Sequence, residues 1–153
     1  MKKTTIAIAL SACALMANAE DVDFVGTAGA ACGFTNVVDG TLNVIGTSAT
    51  TATGATYDVT NNDPNGFKVV VPQVTTFAVA PGAATMSGNL SQTPALASGA
   101  NFGVAFTGND ATGYEADLAA VGTDSFTLSV AATIANPESG SYTIRVPVTC
   151  VAQ

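Results

Sequence analysis

The stretch FTLSVAATIANPESGSYTIRVPVTC, residues 126–150, decides the fold class because its apolar residues recur at every second position. A period of two is typical of a β-strand with one buried face, whereas a helix repeats every 3.6 residues. The two apolar runs are Phe126, Leu128, Val130, Ala132, Ile134 and then Tyr142, Ile144, Val146, Val148, Cys150. Because ANPESG between them predicts a turn, we expect an antiparallel hairpin with one face on the core.

The second run carries two further signals. Arg145 falls at an outward position, so its side chain is expected in solvent. Pro147 has no backbone N–H and cannot donate to a ladder, which predicts that this last strand lies at a sheet edge or is bulged there.

Most of the remaining chain predicts strands, because Thr and Val favour a pleated, half-buried surface. NNDPNG, residues 61–66, predicts a turn, residues 91–99 a loop, and GYEADLAAV, residues 113–121, a short helix. Short strands with frequent turns predict an all-β fold, a single Ig-like antiparallel β-sandwich. The other predicted strands are residues 41–46, 55–60, 67–73, 74–80, 84–90 and 102–107.

The first nineteen residues predict a secretory signal peptide. Lys2 and Lys3 precede an apolar run, and Ala17-Asn18-Ala19 is a cleavage site followed by Glu20. The expected domains are therefore 1–19 signal peptide, 20–31 N-terminal strand and 32–153 sandwich. A rival hypothesis is lipidation at Cys13, because residues 10–13, LSAC, resemble a bacterial lipobox.

Charge and composition exclude several function classes. After cleavage the cations would be Lys68 and Arg145 against eleven acids, a net charge near −9, which repels nucleic acid and anionic membranes. There is no histidine, the commonest general base and metal ligand, so neither an enzyme nor a cofactor is expected. No second apolar run is long enough to span a membrane.

Cys32 and Cys150 would be the only cysteines of the cleaved chain. An even pair in an exported protein predicts a disulfide. This disulfide would place the first and last strands side by side, because bridged Cα atoms lie within about 7 Å.

Three weaker patterns have structural interpretations that we favour over chemical ones. Glu115 and Asp117 share a strand face but are expected on a solvated surface rather than in an active site. Lys68 suggests an isopeptide bond, but a solubilising edge lysine is the commoner role. The oxygen-rich turn at Asn61, Asn62, Asp63 and Asn65 suggests calcium, but these are also ordinary turn residues.

The N-terminal stretch DVDFVGTAGAAC, residues 21–32, also alternates. Its inward positions would be Val22, Phe24, Gly26, Ala28 and Ala30. The pattern resembles the donor strand of chaperone–usher pilins, which is close to V-x-F-x-G followed by A-A-C. Gly140, fourteenth from the C-terminus and followed by an alternating strand, is a second similarity to these fimbrial subunits.

The resemblance implies a function and partners. Val22 and Phe24 would fill pockets in a neighbouring subunit, and Gly26 would lie where the acceptor groove is shallow. A periplasmic chaperone and an outer-membrane usher would be partners, and the location would be a secreted surface fibre. We therefore expect a structural subunit that assembles head-to-tail by strand donation. The alternative is a monomeric, exported Ig-like module that binds a glycan or a surface partner.

Overall fold

The computed structural model describes residues 30–153. Within this range the protein is all-β and contains no helix. The strands are β1 Cys32–Val38, β2 Thr41–Ile45, β3 Ser48–Thr53, β4 Ala55–Asn61, β5 Phe67–Val71, β6 Thr85–Gly99, β7 Thr107–Asn109, β8 Gly113–Leu118, β9 Gly122–Ala135 and β10 Thr149–Ala152.

Sheet 1 is built around the long strand β9. Strand β6 pairs along one edge of β9, and β4 and β3 follow each other along the opposite edge. Strand β1 pairs outside β4, and β2 pairs outside β3. The consecutive strands β1 and β2 therefore form one outer edge of sheet 1.

Sheet 2 has the order β10-β5-β8-β7 and is entirely antiparallel. The two sheets enclose the apolar core, so the predicted Ig-like antiparallel β-sandwich is confirmed. Alternation explains which residues are buried: in β5, Phe67, Val69 and Val71 face the core while Lys68 points away. The core residues of β9 are Phe126, Leu128, Ala132 and Ile134.

A disulfide joins Cys32 in β1 to Cys150 in β10, with their Cα atoms 6.2 Å apart. It links the outer strand of sheet 1 to the outer strand of sheet 2 and confirms that the first and last strands are neighbours. On the loop-entropy account, closing a loop of this length contributes roughly 4–5 kcal/mol of stability. The bridge also indicates an oxidising, extracytoplasmic environment.

The predicted hairpin of residues 126–150 is wrong in its pairing. Strand β9 pairs with β3, β4 and β6, whereas residues 142–148 lie outside the named strands and lead into β10 of sheet 2. Between residue 142 and the start of β10 at Thr149, Thr143 alone forms a bridge to another described residue, Val79. Both runs do place alternate residues against the core, so periodicity identified the buried faces but not the partners.

Four other local predictions are corrected. Residues 113–121 form strand β8 rather than a helix, because Ala116 and Leu118 fill core positions at a spacing of two. Residues 91–99 are part of β6 rather than a loop, and Pro94 is tolerated because β6 lies at a sheet edge. Residues 74–80 and 102–107 lie largely outside the strands.

The predicted signal peptide, Cys13 and most of the N-terminal strand lie outside the described residues, including Val22, Phe24, Gly26 and Ala28. Ala30 is described and exposed. In residues 30–153, no helix is long and apolar enough to cross a membrane.

Candidate binding groove

A groove of about 860 Å³ separates the β1–β2 edge of sheet 1 from residues 140–148. Protein interiors are close-packed and rarely contain voids much larger than one water molecule. A groove of this size against the core is therefore a candidate binding site. Its apolar lining comprises Phe34, Val37, Val38, Leu42, Val44, Tyr57, Leu128, Val130, Tyr142, Ile144, Val146 and Val148.

The first wall of the groove is unusually exposed for apolar strands. Val37 is 65% exposed, Val38 58% and Phe34 37%, and all three line the groove. Val44 in β2 lines it as well. Because exposed apolar residues that cluster mark interaction surfaces, this wall is expected to gain a covering layer.

A bulge in β1 produces this exposure. The register between β1 and β4 shifts between Thr35 and Val38, and Asn36 has a positive φ of 50°. The Asn36 side chain donates a 2.6 Å hydrogen bond to Asp58. Hydrogen bonds from Ser125 and Asn36 lower the pKa of the Asp58 carboxyl, so the Asn36 contact links the bulge to β4 through a charge-assisted hydrogen bond. Both Val37 and Val38 consequently reach the groove.

The second wall is the extended segment 140–148. Exposure alternates from residue 142 to residue 148, with Tyr142, Ile144, Val146 and Val148 half-buried and the residues between them exposed. The half-buried side chains pack on the core on one side and line the groove on the other. The segment is therefore strand-like, although residues 144–148 have no ladder partner among residues 30–153.

Thr143 shows which way the backbone of this segment faces. Its N–H donates to Val79 at 2.8 Å, and its carbonyl accepts from Ala78 at 2.8 Å. Backbone groups alternate between the two edges of an extended chain. The N–H and C=O groups of Ile144 and Val146 are therefore expected on the groove side. The missing donor of Pro147 falls on the inner side and leaves the groove edge continuous.

The floor of the groove is aromatic. Tyr57 stacks on Phe126 with ring centroids 5.3 Å apart, and Phe34 is tilted against Tyr57 at 5.9 Å. The Tyr57 hydroxyl is buried without a hydrogen-bond partner in the described chain, and this burial raises its pKa. The floor is thus aromatic and uncharged, with the Tyr57 hydroxyl as its polar atom.

Charge is sparse around the groove. Arg145 is exposed on the 140–148 wall and forms no ion pair within residues 30–153. Lys68, by contrast, pairs with Glu115 across β5 and β8, with Nζ and Oε2 3.1 Å apart. Of the two cations in the described range, the unpaired one therefore lines the groove.

A polar network fixes the point at which the N-terminal segment joins the body. Ala31 donates to the Asn62 side chain at 2.6 Å and accepts from the Asn62 N–H at 3.2 Å, which extends the β1–β4 pairing beyond Cys32. Next to it, the buried Asn61 donates to the Leu118 and Ala120 carbonyls. The pairing between the β1 and β4 chains therefore continues through Ala31.

The weaker sequence patterns lie elsewhere and show no reactive arrangement. Glu115 and Asp117 share an exposed face of β8, as predicted, and Lys68 lies on an inner strand rather than at an edge. In the 61–66 turn, Asn61 accepts from the Asp63 N–H, and Asp63 accepts from Asn65. Among the described residues, no three Asp, Glu, His or Cys side chains are grouped to hold a metal ion.

Sequence reasoning located one wall of the groove and missed the other. The alternation of residues 142–150 gave the correct inward set. The exposed apolar residues of β1 and β2 were not predicted, because CGFTNVV is interrupted by the bulge and does not alternate. Their density directly after Cys32 was the available signal.

Comparison with protein-family models, curated proteins and solved structures gave no match for this chain.

Proposed function

We propose that this protein is the structural subunit of an extracellular fibre, in which residues 20–28 of one copy enter the groove of the next. The observation that carries the proposal is the groove itself, because its apolar walls come from the first strands and the last segment of the sandwich. A sandwich that opens between these two elements has a place for one more strand.

A strand fits this site better than a compact ligand for two reasons. Strand β1 ends the order of sheet 1, and residues 144–148 have no ladder partner in the described range, so open backbone edges flank the groove. An added strand would pair with such an edge and cover the apolar side chains, which is β-augmentation. Left open, the same edges would promote aggregation.

The N-terminal segment has the length and pattern to be that strand. Residues 20–28 are nine residues, as many as the wall of residues 140–148. Extended, nine residues span about 30 Å. Their inward set would be Val22, Phe24, Gly26 and Ala28, with Asp21 and Asp23 facing away and Glu20 at the outer end of the inward face. The match in length and alternation supports strand donation.

The direction of insertion determines what is built. Residues 30–32 leave the sandwich at the end formed by Asn61 and Ala152, which we call the exit end. Residues 136–140 and the turn at residues 46–47 form the opposite end. A donor antiparallel to residues 140–148 would emerge at the opposite end of its acceptor. The exit end of each copy would then face the opposite end of the next copy. Such a head-to-tail contact produces an open filament rather than a closed dimer.

The setting of the proposed fibre is extracellular. Export through a periplasm, location at a cell surface and a role in adhesion belong to the proposal. A chaperone that covers the groove until assembly, and an outer-membrane usher that exchanges it for a donor, are the proposed partners. The physical need for such a chaperone follows from the exposed Val37 and Val38.

Negative-stain electron microscopy of the purified exported protein tests the proposal. Wild type is expected to form filaments. Phe24→Ala should abolish or shorten them, because emptying an aromatic pocket costs roughly 3–5 kcal/mol per junction. Val25→Ala is the matched control, because residue 25 would face outward and its loss should leave filaments intact.

A different outcome would favour the alternative function. If wild type remains monomeric at all concentrations and Phe24→Ala instead lowers the stability of that monomer, the N-terminal strand pairs within its own subunit. The protein would then be a monomeric Ig-like binding module.

A further inference from the structure

We infer that Arg145 forms an ion pair with Asp23 of the neighbouring copy, and that this pair sets the register of the donated strand. The inference rests on the proposed function and adds to it a specific alignment of the two chains. Asp23 would lie directly opposite Arg145.

Charge complementarity is the first argument. Arg145 is the one cation of the groove lining and has no ion-pair partner in residues 30–153. Asp39, the acid of the lining, forms no ion pair with it. The segment proposed to fill the groove carries three acids, Glu20, Asp21 and Asp23. The groove's unpaired cation thus faces an acidic occupant.

Alternation restricts the choice of partner. Residues directly opposite each other in an antiparallel pair lie on the same side of the sheet. The inward residues are even-numbered on both segments, so Arg145 must oppose an odd-numbered residue. Asp21 and Asp23 are both odd-numbered, so either could lie opposite Arg145. The two resulting registers differ by two residues.

Length and volume favour Asp23. With Asp23 opposite Arg145, Glu20 aligns with Val148 and Ala28 with Gly140, so that the nine donor residues match the nine wall residues. Gly26 then lies opposite Tyr142, the largest inward side chain of the wall. With Asp21 opposite Arg145, Phe24 would meet Tyr142 and the donor would extend past Gly140.

Backbone geometry is compatible with a close ion pair at this position. Thr143 turns its backbone groups towards Val79, and residue 145 is expected to do the same by alternation. Positions 23 and 145 would therefore be a non-hydrogen-bonded pair, in which Cα atoms approach to about 4.5 Å and side chains are closest. Such a pair also suits a disulfide between engineered cysteines.

Cysteine cross-linking of filaments tests the register. In the full-length exported protein, Asp23→Cys combined with Arg145→Cys should give a ladder of covalent oligomers on a non-reducing denaturing gel, collapsing with reductant. Asp21→Cys or Val25→Cys combined with Arg145→Cys are the matched controls. Their Cα separation of about 7–8 Å should prevent efficient bridging.

Charge exchange tests the ion pair. Arg145→Gln should slow filament growth about two- to five-fold, as expected for a cross-strand pair, and Arg145→Glu should slow it about tenfold. Combining Arg145→Glu with Asp23→Arg should restore growth, and the differences should shrink at high ionic strength. Lys68→Gln, which removes a cation already paired with Glu115, should leave growth unchanged.

The outcomes separate this inference from the proposed function. Filaments that cross-link better through residue 21 or 25, or that grow equally fast with Arg145→Glu, would overturn the ion pair and leave the fibre intact. If wild type forms no filaments, the proposed function fails and the ion pair fails with it.

Discussion

Strand β9 and the segment 142–150 have the same sequence pattern but different surroundings. Both alternate apolar and polar residues, and both place their apolar side chains on the core. Strand β9 has partners on both edges, whereas residues 144–148 have none among the described residues. The difference teaches that alternation specifies a buried face and leaves open which chain supplies the neighbouring strand.

The largest expected effect contrasts the cores of these two regions. Phe126 is 1% exposed and contacts Tyr57 and Phe106, so Phe126→Ala should lower the free energy of unfolding of the subunit by about 3–5 kcal/mol. Ile144 is half-buried, and Ile144→Ala should cost the unassembled subunit only about 1–2 kcal/mol. Denaturant unfolding of unassembled subunits measures both values. Equal losses would contradict the view that one side of Ile144 awaits a partner.

The disulfide ties together the ends of the two open edges. Cys32→Ser should lower the free energy of unfolding by roughly 2–5 kcal/mol, because the reduced chain gains entropy when unfolded. Chemical denaturation of the variant and of reduced wild type should give similar midpoints. A variant as stable as oxidised wild type would show that the open side of the sandwich holds without the bridge.

Gly26 tests the open segment from the side of the strand that we propose is donated to it. Gly26→Leu should hinder insertion, because overpacking against Tyr142 costs roughly 1–3 kcal/mol, and filaments should become shorter. The unassembled subunit should melt at the wild-type temperature. Thr27→Leu, an outward substitution of similar size, is the control. Comparable shortening of the filaments by both substitutions would indicate that residue 26 does not face a shallow part of the groove.

The smallest effect lies on the closed side of the molecule. Lys68 and Glu115 are side chains with 33% and 48% exposure, so their ion pair is partly screened by solvent. Lys68→Met should lower the free energy of unfolding by at most about 1 kcal/mol. Thermal melting measures this loss. A loss several times larger would mean that the pair contributes more to joining β5 and β8 than surface ion pairs usually do.

Sequence reasoning predicted the fold class and the disulfide because both depend on local pattern and residue count. Alternation marked Phe126–Ile134 and Phe67–Val71 as half-buried strands, and two cysteines allow a single bridge. The pairing of residues 142–150 was wrong because strand partners are set by the whole chain. A short ANPESG turn suggested a hairpin, yet the chain crosses to the other sheet there.

Composition misled the prediction at two strands. Residues 113–121 contain Ala, Glu and Leu, which favour helices, but burial of Ala116 and Leu118 in the sandwich outweighs that preference. Pro94 and its small neighbours indicated a loop, although an edge strand accepts proline. The groove could not be predicted from the sequence, because it depends on the β1 bulge at Asn36 and on the packing of two distant segments.

Amide hydrogen exchange at Ile144 and Val146 tests most directly whether another copy completes this sandwich. Their N–H groups should exchange slowly in filaments and fast in unassembled Phe24→Ala subunits, because only a donated strand provides acceptors. The Ile134 N–H, which donates to Thr47 at 2.8 Å within the subunit, should be slow in both and serves as the reference. Slow exchange at Ile144 and Val146 in the unassembled subunit, or fast exchange in the filament, would contradict strand donation into this groove.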